Sequence, residues 1–226
     1  MFERFELLIG DKINNIKNKT ILLLGLGGVG SYACESLIRS GISNIIIVDN
    51  DIIDITNLNR QLMTNMNNIG QFKTDVWEDR INSINPNCNV IKINEFIDKS
   101  NIDILFKYDI DYVIDACDTI DTKVLVIEKC IKNNIKIISC MGTGNKMNPS
   151  LLKITDISKT SYDKLSKIMR KKLKEKGINN VTIVSSNEQA YTKIGKSIPS
   201  NSFVPATAGL LLTSYVINDI VGEDNV

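Results

Sequence analysis

Four glycines lie between an apolar run and an amphipathic segment near the start of the chain. In "ILLLGLGGVGSYACESLIRSG", residues 21 to 41, they are Gly25, Gly27, Gly28 and Gly30, which fit the spacing G-x-G-x-x-G. Where a strand leads into a helix, such a turn directs backbone N–H groups and the helix N-terminus at phosphate. Asp49 ends the next apolar run, nineteen residues after Gly30, where a carboxylate can accept a hydrogen bond from a ribose hydroxyl. These residues predict a nucleotide site without selecting the nucleotide.

Polar side chains after Asp49 favour a triphosphate over a nicotinamide dinucleotide. Asn57, Arg60, Gln61 and Lys73 all fall within twenty-five residues of that aspartate. Arg60 has a planar fork of donors and Lys73 a point charge, and both suit a phosphate chain that loses pyrophosphate. A nicotinamide cofactor loses no pyrophosphate, so it needs no such cations. Taken singly, either cation is also explained as an exposed surface charge.

An aspartate after a later apolar run indicates a metal. Asp118 follows "DYVIDAC", and ligands bind at the carboxyl ends of the strands in open parallel sheets. A carboxylate at that edge suits Mg²⁺, which enters such sites with nucleotide phosphates. The alternative is that Asp118 caps the helix that follows it. We expect ATP and Mg²⁺ as the cofactors.

The residue types that are absent narrow the chemistry further. The chain has no histidine, which excludes Ser-His-Asp catalysis, H-E-x-x-H zinc hydrolysis and a histidine base. Its five cysteines include no C-x-x-C pair, so we expect neither a disulfide framework nor a zinc site. Cys140, at the end of an apolar run before "MGTG", is a candidate for a covalent role. The more usual alternative for such a residue is a small buried hydrophobe.

The segments that position these residues alternate between strand and helix patterns. The chain has 226 residues, 43% of them apolar, which suffices for one sizeable core. Predicted strands cover residues 19–25, 44–50, 89–94, 111–117, 135–140, 151–157 and 181–186. Predicted helices cover residues 29–40, 72–83, 100–107, 121–133, 161–176 and 202–222. The alternation predicts an α/β fold, a Rossmann-like, doubly wound, mostly parallel sheet with the ATP site at the strand C-termini.

We expect one domain over residues 1–226, with a nucleotide-binding core at 1–145 and a substrate-side extension at 146–226. In the extension, the apolar segment 202–222 contains scattered polar residues. A helix packed on the sheet therefore fits it better than a stable membrane span, although a membrane-associated tail is the alternative. The N-terminus lacks the apolar stretch of a signal peptide, which favours a cytoplasmic protein.

Positive charge is concentrated in one predicted helix. The net charge is +1, yet residues 159–176 hold eight Lys or Arg and two Asp or Glu, a local +6 that leaves −5 elsewhere. Such a segment is either a solvated helix face or a surface for a polyanion such as RNA. The candidate RNA-binding residues are Lys164, Lys167, Arg170, Lys171, Lys172 and Lys174.

The order of the motifs resembles that of the ubiquitin-activating-like superfamily, which includes the molybdopterin-synthase and thiamine-thiocarboxylate adenylyltransferases. The matching stretches are "GLGGVG", "VDND", "TNLNRQ", "IGQFK", "INP" and "DACDT", within residues 2–145. The resemblance implies that Asp49 binds the ribose and that Asp118 is linked to magnesium. It also implies triphosphate contacts from Asn57, Arg60 and Lys73.

Two further features come with that resemblance. Arg4 matches an arginine that, in relatives, reaches across a homodimer interface into the partner's ATP site. A symmetric homodimer is implied, since an arginine acting in trans requires an isologous pairing. A cysteine desulfurase or a sulfur-acceptor protein is a further partner that the resemblance admits.

The second half of the chain is similar to one subgroup, the tRNA threonylcarbamoyladenosine dehydratases. "NPS" at 148–150, "DISKT" at 156–160, a D-x-L at 163–165 and the basic helix occur in this order. The resemblance implies ATP-dependent cyclisation of threonylcarbamoyladenosine next to the anticodon of a tRNA, with AMP and pyrophosphate released. The modified tRNA is then the polyanion that the basic helix would bind.

Two other functions stay open at this point. An adenylyltransferase that activates the C-terminus of a ubiquitin-like sulfur carrier would use the same ATP site. A nicotinamide oxidoreductase or a nucleotide sensor without catalysis would use the same glycine turn.

Overall fold

A single sheet of seven strands organises the protein. We describe it from a computed structural model, in which residues 1–192, 195 and 197–222 are described. The strands are β1 (Thr20–Leu24), β2 (Asn44–Val48), β3 (Asn89–Ile93), β4 (Tyr112–Asp115), β5 (Lys136–Cys140), β6 (Leu152–Asp156) and β7 (Thr182–Ser186). The α-helices are α1 (Glu3–Ile9), α2 (Ile13–Lys17), α3 (Gly30–Arg39), α4 (Lys73–Ile84), α5 (Ile120–Lys132), α6 (Lys164–Glu175) and α7 (Phe203–Val221).

The strand order creates a crevice at the centre of the sheet. The order is β3-β2-β1-β4-β5-β7-β6, and every pairing is parallel except the antiparallel pair of β6 and β7. The chain winds outward from β1 to β3, then returns to place β4 on the other side of β1. The turns after β1 and β4 therefore leave the sheet in opposite directions, and ligands bind in the crevice that this switch opens.

Alternating side chains of the central strands build a core on each face of the sheet. Ile21 and Leu23 of β1 pack with residues of α3 and α7, whereas Leu22 and Leu24 pack with residues of α5. All four are at most 4% exposed, as expected for a parallel strand that is covered on both faces. The rigid centre of the sheet thus holds the turns that follow its strands.

The predicted α/β fold with a doubly wound, mostly parallel sheet is confirmed. The bounds of the predicted strands and helices agree with the structure to within three residues, and the segment predicted as helical at 100–107 is a 3₁₀ helix, Ile102–Lys107. The short helices α1 and α2 were not predicted. The basic helix begins at Lys164 rather than at 161, because the carboxylate of Asp163 accepts the N–H groups of Leu165 and Ser166 as an N-cap. Strands from both sides of residue 145 join the same sheet, and the two-part division stays a prediction.

Helix α7 is an internal part of this structure. In the described part of the chain it is the one helix with the length and apolar composition of a membrane span, and half of that span is buried in the protein. It crosses α3 closely, since a Cβ on Gly209 would overlap the carbonyl oxygen of Val29. The Thr213 hydroxyl donates to the carbonyl of Ala33 at 3.1 Å. These contacts make α7 a layer of the core beneath the glycine turn.

Candidate nucleotide site and adjoining cleft

A cleft of about 870 Å³ opens at the carboxyl ends of the central strands. One side, here called the β1 half, is lined by residues between 24 and 73 that follow β1 and β2. The opposite side, the β5 half, is lined by residues between 140 and 200. Residues 116–120, which follow β4, lie between the two halves in the sheet order, and residues 95–97, which follow the edge strand β3, also line the cleft. The cleft is large enough for a nucleotide together with a second group.

The glycines of the turn serve two different purposes. Gly25 has φ +91°, and a Cβ there would lie 2.9 Å from the carbonyl carbon of Ala116. A Cβ on Gly30 would overlap the carbonyl oxygen of Gly25. At Gly27, by contrast, the nearest atom to such a Cβ is 4.0 Å away, on Gln61. The backbone itself demands glycine at 25 and 30, whereas position 27 leaves open space that faces the cleft.

Asp49 and Lys73 form a fixed, buried pair at the end of β2. The Asp49 carboxylate accepts the N–H of Leu26 at 2.7 Å and that of Asp51 at 2.9 Å. The Lys73 ammonium lies 2.6 Å from Asp51 Oδ2 and 3.6 Å from Asp49 Oδ1. Burial raises the pKa of the Asp49 carboxyl above its usual value, while the Lys73 charge opposes that shift. The carboxylate is thus held beside the first N–H of the glycine turn.

The next three predicted residues follow in a loop across the β1 half. The stem of Arg60 lies against the glycine turn, since a Cβ on Gly28 would be 3.2 Å from Arg60 Cγ. Its Nη1 donates to the Thr56 carbonyl at 2.8 Å. Asn57 closes a capping box by accepting the N–H of Asp54 at 3.1 Å. Asn57, Arg60 and Gln61, the three predicted residues, all line the cleft with Lys73.

Gln61 is the buried member of this loop, with 7% of its surface exposed. Its Oε1 has no hydrogen-bond partner among the described residues. A buried acceptor without a donor is rare, and it indicates a group from outside the chain, either water or ligand.

Two aspartates at the carboxyl end of β4 have opposite environments. Asp118 is exposed to the cleft, and no described residue donates to it or pairs with it. Asp115 is fully buried and lies 2.9 Å from the Lys123 ammonium, which also donates to the Cys140 carbonyl at 2.8 Å. Burial lowers the pKa of Lys123, but the charge and hydrogen bond of Asp115, together with the neighbouring Cys117 and Cys140, more than offset that effect and the net shift is upward. Asp115 thus braces the ends of β4 and β5, and Asp118 alone is available to a ligand.

The β5 half is tied to the basic helix through Asp163. Its carboxylate accepts the N–H of Gly142 at 3.2 Å and caps α6 by accepting from Leu165 and Ser166, each at 3.1 Å. A Cβ on Gly142 would lie 2.7 Å from Asp163 Oδ1. The first turn of α6 is therefore fixed at the mouth of the cleft.

The basic residues of α6 divide into two groups. Arg170 donates to the Thr160 carbonyl at 2.9 Å, and Lys172 lies 2.9 Å from Asp121, so both brace the fold. The other four candidates are exposed and follow the spacing i, i+3, i+7, i+10, which puts them on one helix face. This lysine stripe consists of Lys164, Lys167, Lys171 and Lys174. It begins at the cleft, which Lys164 lines.

Arg4 lies outside the cleft of its own chain, whereas Cys117 and Cys140 are among the residues that line it. Arg4 is exposed on α1 and does not line the cleft of its own chain in the described residues. Cys140 is 3% exposed, and burial raises its pKa to about 12. Burial also raises the pKa of Cys117 well above its usual value. Both thiols stay protonated at neutral pH, which disfavours a nucleophilic role.

The metal donors in the described residues are sparse. No cluster of three or more Cys, Asp or Glu side chains with metal-binding geometry occurs there. A resident metal held entirely by the protein has no support in this part of the chain. One exposed carboxylate, Asp118, fits instead a cation that arrives on nucleotide phosphates and keeps most of its ligands from them.

The fold and the cleft define a nucleotide-binding protein of the doubly wound class, with the site at the crevice between β1 and β4. The chain belongs to the ThiF family, which matches residues 3–225. It is 41% identical to a Bacillus subtilis tRNA threonylcarbamoyladenosine dehydratase over 241 aligned positions, which cover 98% of this chain and 95% of the relative. A Haemophilus influenzae protein of the same name is 39% identical over 73% of this chain and 63% of its own length.

The comparison with solved structures agrees with the comparison of sequences. Crystal structures of an E. coli tRNA N6-threonylcarbamoyladenosine dehydratase, one with AMP and one with ATP, each match this fold with a TM-score of 0.92 at 31% identity. The AMP complex covers 98% of this chain and 94% of the E. coli chain. A likeness over both chains at this identity extends beyond the nucleotide-binding sheet to the β5 half and α6.

Two residues of the cleft were not predicted from the sequence. Asp51, which pairs with Lys73, follows directly after the motif aspartate, but an exposed side chain in a loop carries no pattern of its own. Lys146 is 6% exposed and lines the β5 half. A lysine in the turn-rich stretch "GTGNKMNPS" is predicted to be exposed, so the sequence contains no signal for its burial.

Proposed function

We propose that this protein is an ATP-dependent enzyme that dehydrates threonylcarbamoyladenosine in tRNA to its cyclic form. The observation that carries the proposal is the 41% identity over almost the whole of both chains to a tRNA threonylcarbamoyladenosine dehydratase. The cleft supports it, because it offers a nucleotide site in the β1 half and further room in the β5 half. The tRNA substrate and the need for ATP agree with the expected cytoplasmic location.

In the β1 half, each residue has a role in the first step. The glycine turn and the start of α3 bind the phosphates, and Asp49 accepts a hydrogen bond from the ribose. Arg60 and Lys73 stabilise the charge that builds on the leaving pyrophosphate. The threonine carboxylate attacks the α-phosphorus of ATP, the bond to the bridging oxygen breaks, and the products are an acyl-adenylate and pyrophosphate.

The second step closes the ring. A ureido nitrogen of the same side chain attacks the activated carbonyl carbon, its proton leaves to solvent, and the bond to the AMP oxygen breaks. The oxygen lost from the carboxylate therefore leaves on AMP, and the nucleoside loses the elements of one water. Because nucleophile and electrophile belong to one bound group, proximity supplies much of the rate. This explains how a chain without histidine can perform the reaction.

We propose that Asp118 holds the magnesium ion that accompanies ATP. Its exposed carboxylate fits a cation that takes its remaining ligands from phosphates and water. When bound, the ion would neutralise phosphate charge and favour pyrophosphate departure. Asp118 itself orients that complex at the end of β4.

The lysine stripe is proposed to bind the tRNA backbone. It starts at the cleft and extends along about 15 Å of α6, given a rise of ~1.5 Å per residue. Exposed lysines bind phosphates without reading sequence, which suits a protein that recognises the modified nucleotide in the cleft. The substrate-side role proposed for residues 146–226 rests on this surface.

We further propose a homodimer in which Arg4 reaches the ATP site of the partner subunit. Two observations support it: Arg4 lies outside its own cleft, and Leu7 and Leu8 on the same helix are 80% and 77% exposed. Mixing inactive Arg4→Ala protein with inactive Lys73→Met protein should restore AMP release. In a mixed dimer, one site has an intact Lys73 and receives Arg4 from the other subunit. No restored activity in a mixed dimer confirmed by mass would contradict an arginine acting in trans.

The proposed reaction is tested by AMP release from ATP and Mg²⁺ with tRNA that carries or lacks threonylcarbamoyladenosine. We expect AMP release only with the modified tRNA, and a product nucleoside that is lighter by one water after mild digestion. AMP formation that instead requires a protein ending in Gly-Gly, with tRNA inert, would show sulfur-carrier activation. Tight binding of NADH with no response to ATP would indicate an oxidoreductase.

A further inference from the structure

Lys146 is a buried cation in the β5 half of the cleft. It is 6% exposed and lines the cleft together with residues 142–145 of the same loop. Its ammonium donates to the backbone carbonyl of Glu188. None of the carboxylates in the described residues lies within 4 Å of it. A buried ammonium without a counterion is costly, so its position requires an explanation.

The side chain of Glu188, whose carbonyl accepts from Lys146, is engaged elsewhere. The Glu188 carboxylate accepts the N–H of Met147 at 2.9 Å and the N–H of Asn148 at 2.9 Å. These bonds satisfy two backbone donors of the loop, and they direct the carboxylate at the backbone beyond Lys146. Glu188 therefore fixes the loop with its side chain and offers the ammonium only a carbonyl oxygen.

The loop that carries Lys146 is held on both sides. Asn145 donates its backbone N–H to the Pro199 carbonyl at 2.7 Å and its side-chain amide to the Thr192 carbonyl at 2.7 Å. The Asn201 amide donates to the Lys146 carbonyl at 2.7 Å. A backbone fixed by so many bonds keeps the buried ammonium in place before any ligand arrives, as a preorganised binding residue requires.

We propose that Lys146 binds the threonine carboxylate of the modified nucleotide, the group that ATP activates. The inference rests on the proposed function and names a substrate contact within it. A small anion that enters the β5 half would supply the counterion that the described residues do not provide. On the opposite side, Lys73 already has Asp51 and Asp49 beside it, so the two buried lysines are not equivalent.

The test compares Lys146→Met with the unaltered protein in equilibrium binding of modified and unmodified tRNA, without ATP. Methionine keeps the length of the side chain and removes the charge. We expect the preference for modified tRNA to fall by about 10-fold or more, as for the loss of a hydrogen bond to a charged group. Binding of unmodified tRNA and of ATP alone should change less than twofold, because neither offers a carboxylate to this position. Lys146→Arg should keep part of the preference.

Lys167→Met serves as the matched control on the lysine stripe, and it should weaken binding of both tRNAs equally. The proposal is overturned if Lys146→Met, folded as judged by unchanged ATP binding, keeps the full preference for modified tRNA. It is equally overturned if the variant loses ATP affinity and keeps the preference, since Lys146 would then bind a phosphate. If the unaltered protein shows neither preference nor AMP release with modified tRNA, the proposed function fails and the inference fails with it.

Discussion

Lys73 and Lys146 are two buried lysines in one cleft, and their surroundings differ. Lys73 is 5% exposed and lies 2.6 Å from Asp51, whereas Lys146 is 6% exposed and donates to a backbone carbonyl. In the β1 half, nearby carboxylates therefore balance the charge of Lys73. In the β5 half, none of the described carboxylates lies within 4 Å of Lys146. The two halves therefore differ in local charge balance, which agrees with their proposed roles, nucleotide phosphates in the β1 half and the substrate carboxylate in the β5 half.

The largest effect is expected from Lys73→Met, which removes the cation of the β1 half. Loss of charge stabilisation at the leaving pyrophosphate should lower the rate of AMP release at least ~100-fold. It also leaves the buried Asp49 without the charge that opposes its raised pKa. Asp51→Asn is the control, since it keeps the lysine and should cost less than tenfold. A Lys73→Met rate within tenfold of the unaltered protein would remove Lys73 from the phosphate site.

In the same half, Gly27→Ala should impair ATP binding while leaving the stability of the fold almost unchanged. The added Cβ meets no chain atom closer than 4.0 Å, so the melting temperature should change by less than ~2 °C. The KM for ATP should rise ~10-fold or more, because the methyl group enters the space proposed for phosphate. Gly30→Ala, which overlaps the Gly25 carbonyl, should lower both stability and ATP binding. Normal ATP affinity in Gly27→Ala would mean that phosphate does not lie there.

A smaller effect is expected outside the cleft, from two neighbouring lysines of α6. Lys171 lies on the exposed stripe, while Lys172 is paired with Asp121 at 2.9 Å. Lys171→Glu should weaken tRNA binding and reduce the slope of log K against log salt by about 1. Lys172→Glu should leave that slope almost unchanged, and ATP binding should be normal in both. Equal slopes in the two variants would show that net charge, rather than the stripe, attracts tRNA.

The smallest effect is expected at Cys140, the last residue of β5. Burial raises its pKa to about 12, so the thiolate is scarce at neutral pH. Cys140→Ser should therefore keep AMP release within about twofold of the unaltered protein. A loss of ring closure with retained pyrophosphate exchange would instead reveal a covalent acyl intermediate at this thiol.

Much of the β1 half could be predicted from the sequence because local pattern dictates it. Gly25 and Gly30 are required by the backbone of a strand-to-helix turn, and Asp49 follows a buried strand whose pattern fixes its end. Lys146 could not be predicted in the same way. Its burial depends on hydrogen bonds between its own loop and distant residues such as Glu188 and Asn201. Long-range bonds between irregular segments leave no periodic signal.

The lysine stripe on α6 could be predicted from the sequence only in part. The sequence indicated a basic helix, but six candidate residues looked alike. Packing distinguishes them, since Arg170 turns back to the Thr160 carbonyl and Lys172 to Asp121. Helical spacing could have grouped the remaining four, yet it does not reveal which face is covered by neighbours.

Activation of the threonine carboxylate through an acyl-adenylate is tested by following the transfer of oxygen from the substrate to AMP. tRNA whose threonine carboxylate carries ¹⁸O in both oxygens would be incubated with the enzyme, ATP and Mg²⁺, and the AMP and the nucleoside weighed by mass spectrometry. Adenylylation followed by ring closure predicts one ¹⁸O in each AMP and one retained in the cyclic nucleoside. AMP without label, or label in inorganic phosphate, would contradict activation of the carboxylate through an acyl-adenylate.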